Sequence, residues 1–221
     1  MNSFFTEYDM DSWKYAGNFN FYTKVMPTGF TTCVDLDITK TYDLAKIRGV
    51  KFSACYLFLL SKIMNEQENF RIIVKNSKPG SYNKIIPGFS VFHKDDNSNS
   101  LLWVDYNPDE SFTVFEHRFS EEMSKYGSNH GFLSKQGIPP ENCFIAGILP
   151  WISFTSYSPV PYKMSNCFFP ITESGKIKKC GEQKFLPFSI TVHHGVCDGY
   201  LLSVFLQRFQ DLLKAPEIWF L

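Results

Sequence analysis

The stretch Phe185-Leu-Pro-Phe-Ser-Ile-Thr-Val-His-His-Gly-Val-Cys-Asp-Gly199 constrains this chain more than any other. Its first half, apolar and partly β-branched, reads as a strand. Directly after it, Leu201, Leu202, Phe205, Phe209, Leu212 and Leu213 share one face of a helix predicted over Tyr200–Lys214. His193, His194 and Asp198 stand between the two elements. Titratable side chains at the junction of a buried strand and a helix are costly to a core, so they require a reason. A neutral imidazole can take a proton from a hydroxyl or thiol, provided its tautomer and ring orientation are held. His194 is the candidate general base, with Asp198 and Gly199 as its structural support. On these residues alone, a pair of histidines making core hydrogen bonds accounts for the pattern equally well.

The remaining chain supplies a frame. Strands are predicted over Phe30–Ile38, Phe70–Lys75, Ile85–His93, Leu101–Tyr106, Cys143–Ile148, Trp151–Tyr157, Phe168–Thr172, Ile177–Lys179 and Lys184–His193. Helices are predicted over Thr41–Arg48 with Thr39 as N-cap, Ser53–Glu66 and Asp109–Tyr126. Pro79-Gly80 reads as a turn, and Gly127–Glu141 as a connection. No repeat or linker divides the chain. The expected architecture is α+β: residues 1–221 as one domain, a two-layer sandwich with a mixed sheet flanked by helices.

Composition excludes several function classes. Twenty-two basic residues balance 22 acidic ones, so no charge excess points to nucleic acid or an anionic membrane. No apolar run is long enough to span a bilayer. Met1–Asp9 lacks the basic start and apolar stretch of a signal peptide, so a cytoplasmic setting is expected. The six cysteines (Cys33, Cys55, Cys143, Cys167, Cys180, Cys197) are scattered with no CxxC, the pattern of a reduced compartment without a zinc site. Cys197 is expected to be a packing residue. The 23 phenylalanines suit an aromatic core, an apolar pocket or a subunit interface.

Val192-His-His-Gly-Val-Cys-Asp-Gly-Tyr200 resembles the active-site signature of the chloramphenicol acetyltransferases. The motif is shared more loosely with dihydrolipoyl acyltransferases and condensation domains, and chain length favours the first family. Further stretches agree in order over about residues 11–214: Val34–Thr39, Phe52–Met64 with Phe70-Arg71, Pro87–His93 with Leu102-Trp103, and Pro150-Trp-Ile-Ser-Phe-Thr-Ser156. The resemblance implies a compact homotrimer with an active site at each subunit interface. Acetyl-CoA would be the co-substrate, with no permanently bound cofactor and no metal. Acetyl would pass directly to a small-molecule hydroxyl, with chloramphenicol as default acceptor and antibiotic inactivation as outcome. In it His194 is the base and Asp198 is structural. Trp151 lies near the coenzyme and substrate pockets, and Phe30 near the acceptor. His193 is not the base.

Three supporting positions depart from the family pattern. A serine that hydrogen-bonds the oxyanion is replaced by Gly147, so Gly147→Ser is expected to raise turnover by roughly one to three decades. An arginine that pairs with the motif aspartate is replaced by Tyr15, whose hydroxyl is a possible donor to Asp198. A threonine that holds a water falls on Glu173, or on Thr172 with a one-residue slip. Two alternatives follow: a catalytically impaired member that binds hydrophobic small molecules, or an acyltransferase for another acceptor. Elsewhere, His93 and His117 read as surface or packing residues. His130 reads as a solvated loop residue or a neighbour of the acceptor pocket. Lys176, Lys178 and Lys179 read as a solvated turn or a contact for the coenzyme's phosphates.

Overall fold

The computed structural model describes residues 3–133, 137–160 and 168–220; Cys167 lies outside them. The longest strand, Gln183–His193 (β10), is the axis of a mixed sheet. Its neighbours are Gly29–Asp37 (β2), Ile171–Ser174 (β8), Cys143–Ile148 (β7), Ile86–His93 (β5) and Ser98–Trp103 (β6), in the order β2-β10-β8-β7-β5-β6. Lys178–Cys180 (β9) pairs with the start of β10. The β5–β7 and β7–β8 pairs are parallel, and the others are antiparallel.

Alternation along β10 separates the sheet's two faces. Phe188, Ile190 and Val192 are buried towards the helices, where Phe188 meets Phe205 and Phe209. Ser189, Thr191 and His193 face the other way. There the Thr191 and Thr31 hydroxyls bond at 2.7 Å, and Thr31 also bonds Ser158. The helical layer comprises Thr39–Arg48 (α2), Phe52–Glu66 (α3), Phe112–Tyr126 (α4) and Gly199–Lys214 (α5). Buried nearly all round, α3 is the central helix, packing on α2, α4 and α5. Phe58 on α3 meets Tyr106, Phe112, Phe115 and Trp219, so much of the aromatic content serves this core.

Several local expectations change. Thr39 is inside α2 and does not cap it; Asp37 accepts hydrogen bonds from the Thr39 N–H and hydroxyl instead. The turn before Pro79 is made by Asn76 and Ser77, both at positive φ, and Pro79-Gly80 is strand. Ser111 caps α4, which therefore starts later than Asp109. Residues 151–157 form no strand. They run over the polar face of the sheet, where the Tyr157 N–H and C=O both engage the Cys33 thiol, so their backbone joins no ladder.

A second, three-stranded sheet was not anticipated: Phe5–Glu7 (β1), Lys78–Tyr82 (β4) and Ile72–Lys75 (β3). Gly80 permits it, because a Cβ there would lie 2.2 Å from the Thr6 carbonyl oxygen and 2.5 Å from the Phe5 ring. Gly80→Ala is expected to cost about 1–3 kcal/mol by overpacking, read as a lower urea midpoint with an unchanged slope.

Candidate active site

The end of β10 delivers the histidine pair, and a tight turn separates it from α5. The Val196 and Cys197 N–H groups both donate to the His193 carbonyl at 3.1 Å. Asn69, in the short 3-10 segment before β3, donates from its side chain to the Val196 carbonyl at 2.8 Å. Asp198 is the N-cap of α5, accepting from the Leu201 N–H at 2.8 Å. These bonds give the loop one conformation.

His194 is held from three sides. Its backbone N–H donates to the Thr28 carbonyl at 2.8 Å. Tyr22 stacks on its ring at 4.0 Å between centroids, and Phe30 meets it edge-on at 5.2 Å. Its Nδ1 lies 3.1 Å from the Cys197 carbonyl oxygen. A carbonyl only accepts, so Nδ1 carries the proton and Nε2 keeps its lone pair. That is the tautomer a general base needs.

His193 is of a different kind. Its Nδ1 accepts from the Gly195 N–H at 3.0 Å, and Phe168 lies edge-on to its ring. Burial, aided by the neighbouring His194, pushes its pKa down, so it stays neutral. Cys197 is buried, with its thiol pushed up to about 12, which leaves it protonated and unreactive. Asp198 pairs with no cation among the described residues. Tyr15 does not take that place: its ring packs edge-on against Trp13 beneath the Lys14 ammonium, and its hydroxyl bonds to none of the described residues.

A second group of residues lies elsewhere on the sheet. Gly147 and Glu173 are direct partners in the β7–β8 ladder. Thr172 points inward and donates to the Ile145 carbonyl. A Cβ on Gly147 would lie 2.0 Å from a Glu173 carboxyl oxygen. The glutamate head group thus fills the space that a side chain at 147 would need. A side chain at 147 would therefore have to turn aside the Glu173 carboxyl, the far end of a flexible side chain. Burial pushes the Glu173 carboxyl up to about 7. Trp151 lies just beyond, 52% exposed, its ring edge-on to Phe92. A cavity of about 250 Å³ adjoins this end, lined by Phe52, Ser53 and Tyr56 on one wall and Pro150, Gly175 and Lys176 on the other.

One chain does not bring the two groups together. Ser189 is the β10 partner of Glu173, and His194 lies five residues further on. At a rise of ~3.3 Å per residue that is about 16 Å along the strand. Tyr22, Asn69 and Thr28 were not singled out from the sequence. The signal for Tyr22 was its place in an aromatic-rich segment, which folds as a π-helical turn, Phe21–Val25, just before β2. Asn69 and Thr28 act through backbone contacts that carry no residue signature.

The frame and the placement of the histidine motif define a two-layer α+β fold with a histidine-bearing strand-to-helix turn. The chain matches the family profile "Chloramphenicol acetyltransferase" over residues 1–210. A chloramphenicol acetyltransferase of Staphylococcus aureus is 32% identical over 98% of this chain and 99% of its own length. One from Escherichia coli is 31% identical over 94% and 93%. A solved chloramphenicol acetyltransferase structure superposes with a TM-score of 0.83 at 20% identity, covering 95% of this chain and 100% of that one. The chain belongs to the chloramphenicol acetyltransferase family.

A raised carboxyl pKa has a defined consequence for stability. The folded protein holds the Glu173 proton more tightly than the unfolded chain, so stability falls as pH rises from the ordinary value near 4.5 to about 7. Glu173→Gln removes this dependence. The variant is expected to gain in urea midpoint relative to the parent at pH 8, and to gain less at pH 5.

Proposed function

We propose that this protein is an acetyl-CoA-dependent O-acetyltransferase acting on a small-molecule hydroxyl, with chloramphenicol, the substrate named for its relatives, as acceptor. The observation that carries this reading is the contact of His194 Nδ1 with the Cys197 carbonyl oxygen, which leaves Nε2 to act as base. Nε2 takes the acceptor's hydroxyl proton, and the oxygen attacks the thioester carbonyl. Collapse of the tetrahedral intermediate breaks the carbon–sulfur bond. The sulfur then receives the proton from Nε2, so base and proton are both restored. The aromatic walls of Tyr22 and Phe30 exclude water from the base and offer an apolar seat to the acceptor.

The intermediate needs a donor for its oxyanion. Gly147 has no side chain to offer, and Glu173 occupies its space. Protonated Glu173 supplies an O–H there, as a neutral carboxylic acid does when burial keeps it un-ionised. Because one chain keeps His194 and Glu173 apart, the reading requires Glu173 of the partner subunit beside His194, in a cytoplasmic homotrimer with interfacial sites. Trp151 and the adjoining cavity take the coenzyme, with Lys176 meeting its phosphates.

Thiol release from acetyl-CoA in the presence of chloramphenicol tests the assignment. His194→Ala is expected to lower turnover by roughly 10²–10⁴-fold; retained activity in that variant sinks it. The second reading, a binder with impaired chemistry, is favoured by Asp198 lacking a cation and by a carboxyl standing where the oxyanion forms. Tight chloramphenicol binding with no coenzyme A released would select it.

Glu173 has its own signature. Turnover in the parent should fall as pH rises above about 7, where the carboxyl ionises. Glu173→Gln, which keeps a donor at every pH, should lose that fall. Gly147→Ser displaces the carboxyl and supplies a hydroxyl donor of its own, so it too should lose that fall. A parent profile that stays flat above pH 8 rules out the carboxyl as donor.

A further inference from the structure

We infer that His93, Asp95 and His130 form a binding site for one borderline divalent cation of the zinc class, at the tip of the β5–β6 hairpin and remote in sequence from the histidine motif. One ligand atom from each of the three lies within 4.8 Å of the others. The sequence hides this grouping. His93 ends β5, Asp95 is in the hairpin turn, and His130 comes from the loop after α4, so no short metal motif exists.

The fold holds the loop against the hairpin. The Ser100 hydroxyl donates to the Asn129 carbonyl at 2.5 Å, and the Leu101 N–H donates to the Phe132 carbonyl at 2.8 Å. These bonds flank His130 on both sides. Its ring stacks on that of His93 at 4.3 Å between centroids.

Each histidine has one nitrogen engaged by a supporting group, as metal-bound histidines do. His93 is 6% exposed, and its Nε2 lies 2.7 Å from the Ser100 oxygen. That hydroxyl has already given its proton to Asn129, so Nε2–H is the donor. Nδ1 of this buried ring is left with a lone pair, and no hydrogen bond reaches it among the described residues. His130 places Nδ1 2.6 Å from an Asp96 carboxyl oxygen, which orients the ring. Its Nε2 then faces Asp95 Oδ2 at 3.2 Å. Two ligands of a tetrahedral zinc ion, each at about 2.05 Å, lie about 3.3 Å apart. Two imidazoles and one carboxylate suit zinc, cobalt or nickel better than calcium or magnesium, which prefer oxygen alone. Water completes the coordination.

Without an ion, the same contacts require a protonated His130 between two carboxylates, a surface ion pair. Calorimetric titration of the full chain with zinc, after removal of metals by chelator, separates the accounts. One zinc per chain at micromolar affinity or tighter is expected. His130→Ala and Asp95→Asn, both at exposed positions, should weaken binding at least tenfold. Asp96→Asn should weaken it by roughly 10–100-fold through loss of ring orientation. Cys180→Ser and His194→Ala should leave it unchanged. Absence of stoichiometric binding overturns the site, as does binding that survives His130→Ala or disappears in Cys180→Ser or His194→Ala.

Discussion

The hydrogen bond from His194 Nδ1 to the Cys197 carbonyl is the contact on which the orientation of the imidazole depends. It is short-range, closing a turn of three residues, yet it exists only because longer-range packing sets that turn. β10 must end at His193, paired with Gly29, for the chain to turn there. α5 must be capped by Asp198, whose carboxylate accepts from the Leu201 N–H. Asn69 must reach across from another element to hold the Val196 carbonyl. Together these contacts set the turn that places the imidazole against the Cys197 carbonyl. Asp198 therefore acts through the helix cap, and among the described residues it has no ion-pair partner. A cap of this kind contributes about 1 kcal/mol, whereas an ion pair withdrawn from water carries a large desolvation cost on both partners.

Gly147 and Glu173 are best understood as one unit. In a parallel ladder, directly paired residues put their side chains on the same face, so a glycine beside a glutamate leaves room for the carboxyl to lean over. That position is dry enough to hold the proton to near neutral pH. The same burial that makes the group costly to ionise makes it a donor when neutral. The two substitutions thus compensate sterically, and each is a poor guide to function when considered alone.

Much of this was legible in the sequence because it is written in local periodicity. The β10 strand, the α5 helix and the central α3 helix all follow from apolar spacing, and the ordered motifs carried the family. Residues 151–157 misled for a physical reason: their composition suits a strand, but they lie across a sheet face, where side-chain contacts decide the path. The small β1-β4-β3 sheet was hidden behind Pro79-Gly80, a dipeptide with a strong turn preference that tertiary contact overrides. Tyr22 and Asn69 could not be assigned a role because their importance lies in the group they meet. The Gly147–Glu173 exchange was visible only as two separate departures, since contact between paired strands is not a property of either residue.

The distribution of polar groups also bears on the proposed interfacial site. At β10 the helix-facing side of the sheet is filled by Phe188, Ile190, Val192 and the aromatic layer beneath them. The opposite side carries Thr31, Thr191, Ser189 and Glu173, a polar band only partly covered by residues 151–158. On the proposed reading, His194 at one end of that band and Glu173 about 16 Å away along β10 are of no use to each other within the chain. They become complementary when the base end of one copy meets the carboxyl end of the next. A head-to-tail contact of that kind repeats identically at every interface and closes when the rotation between copies completes a ring. Each such interface would join one His194 to one Glu173, so the number of sites would equal the number of chains.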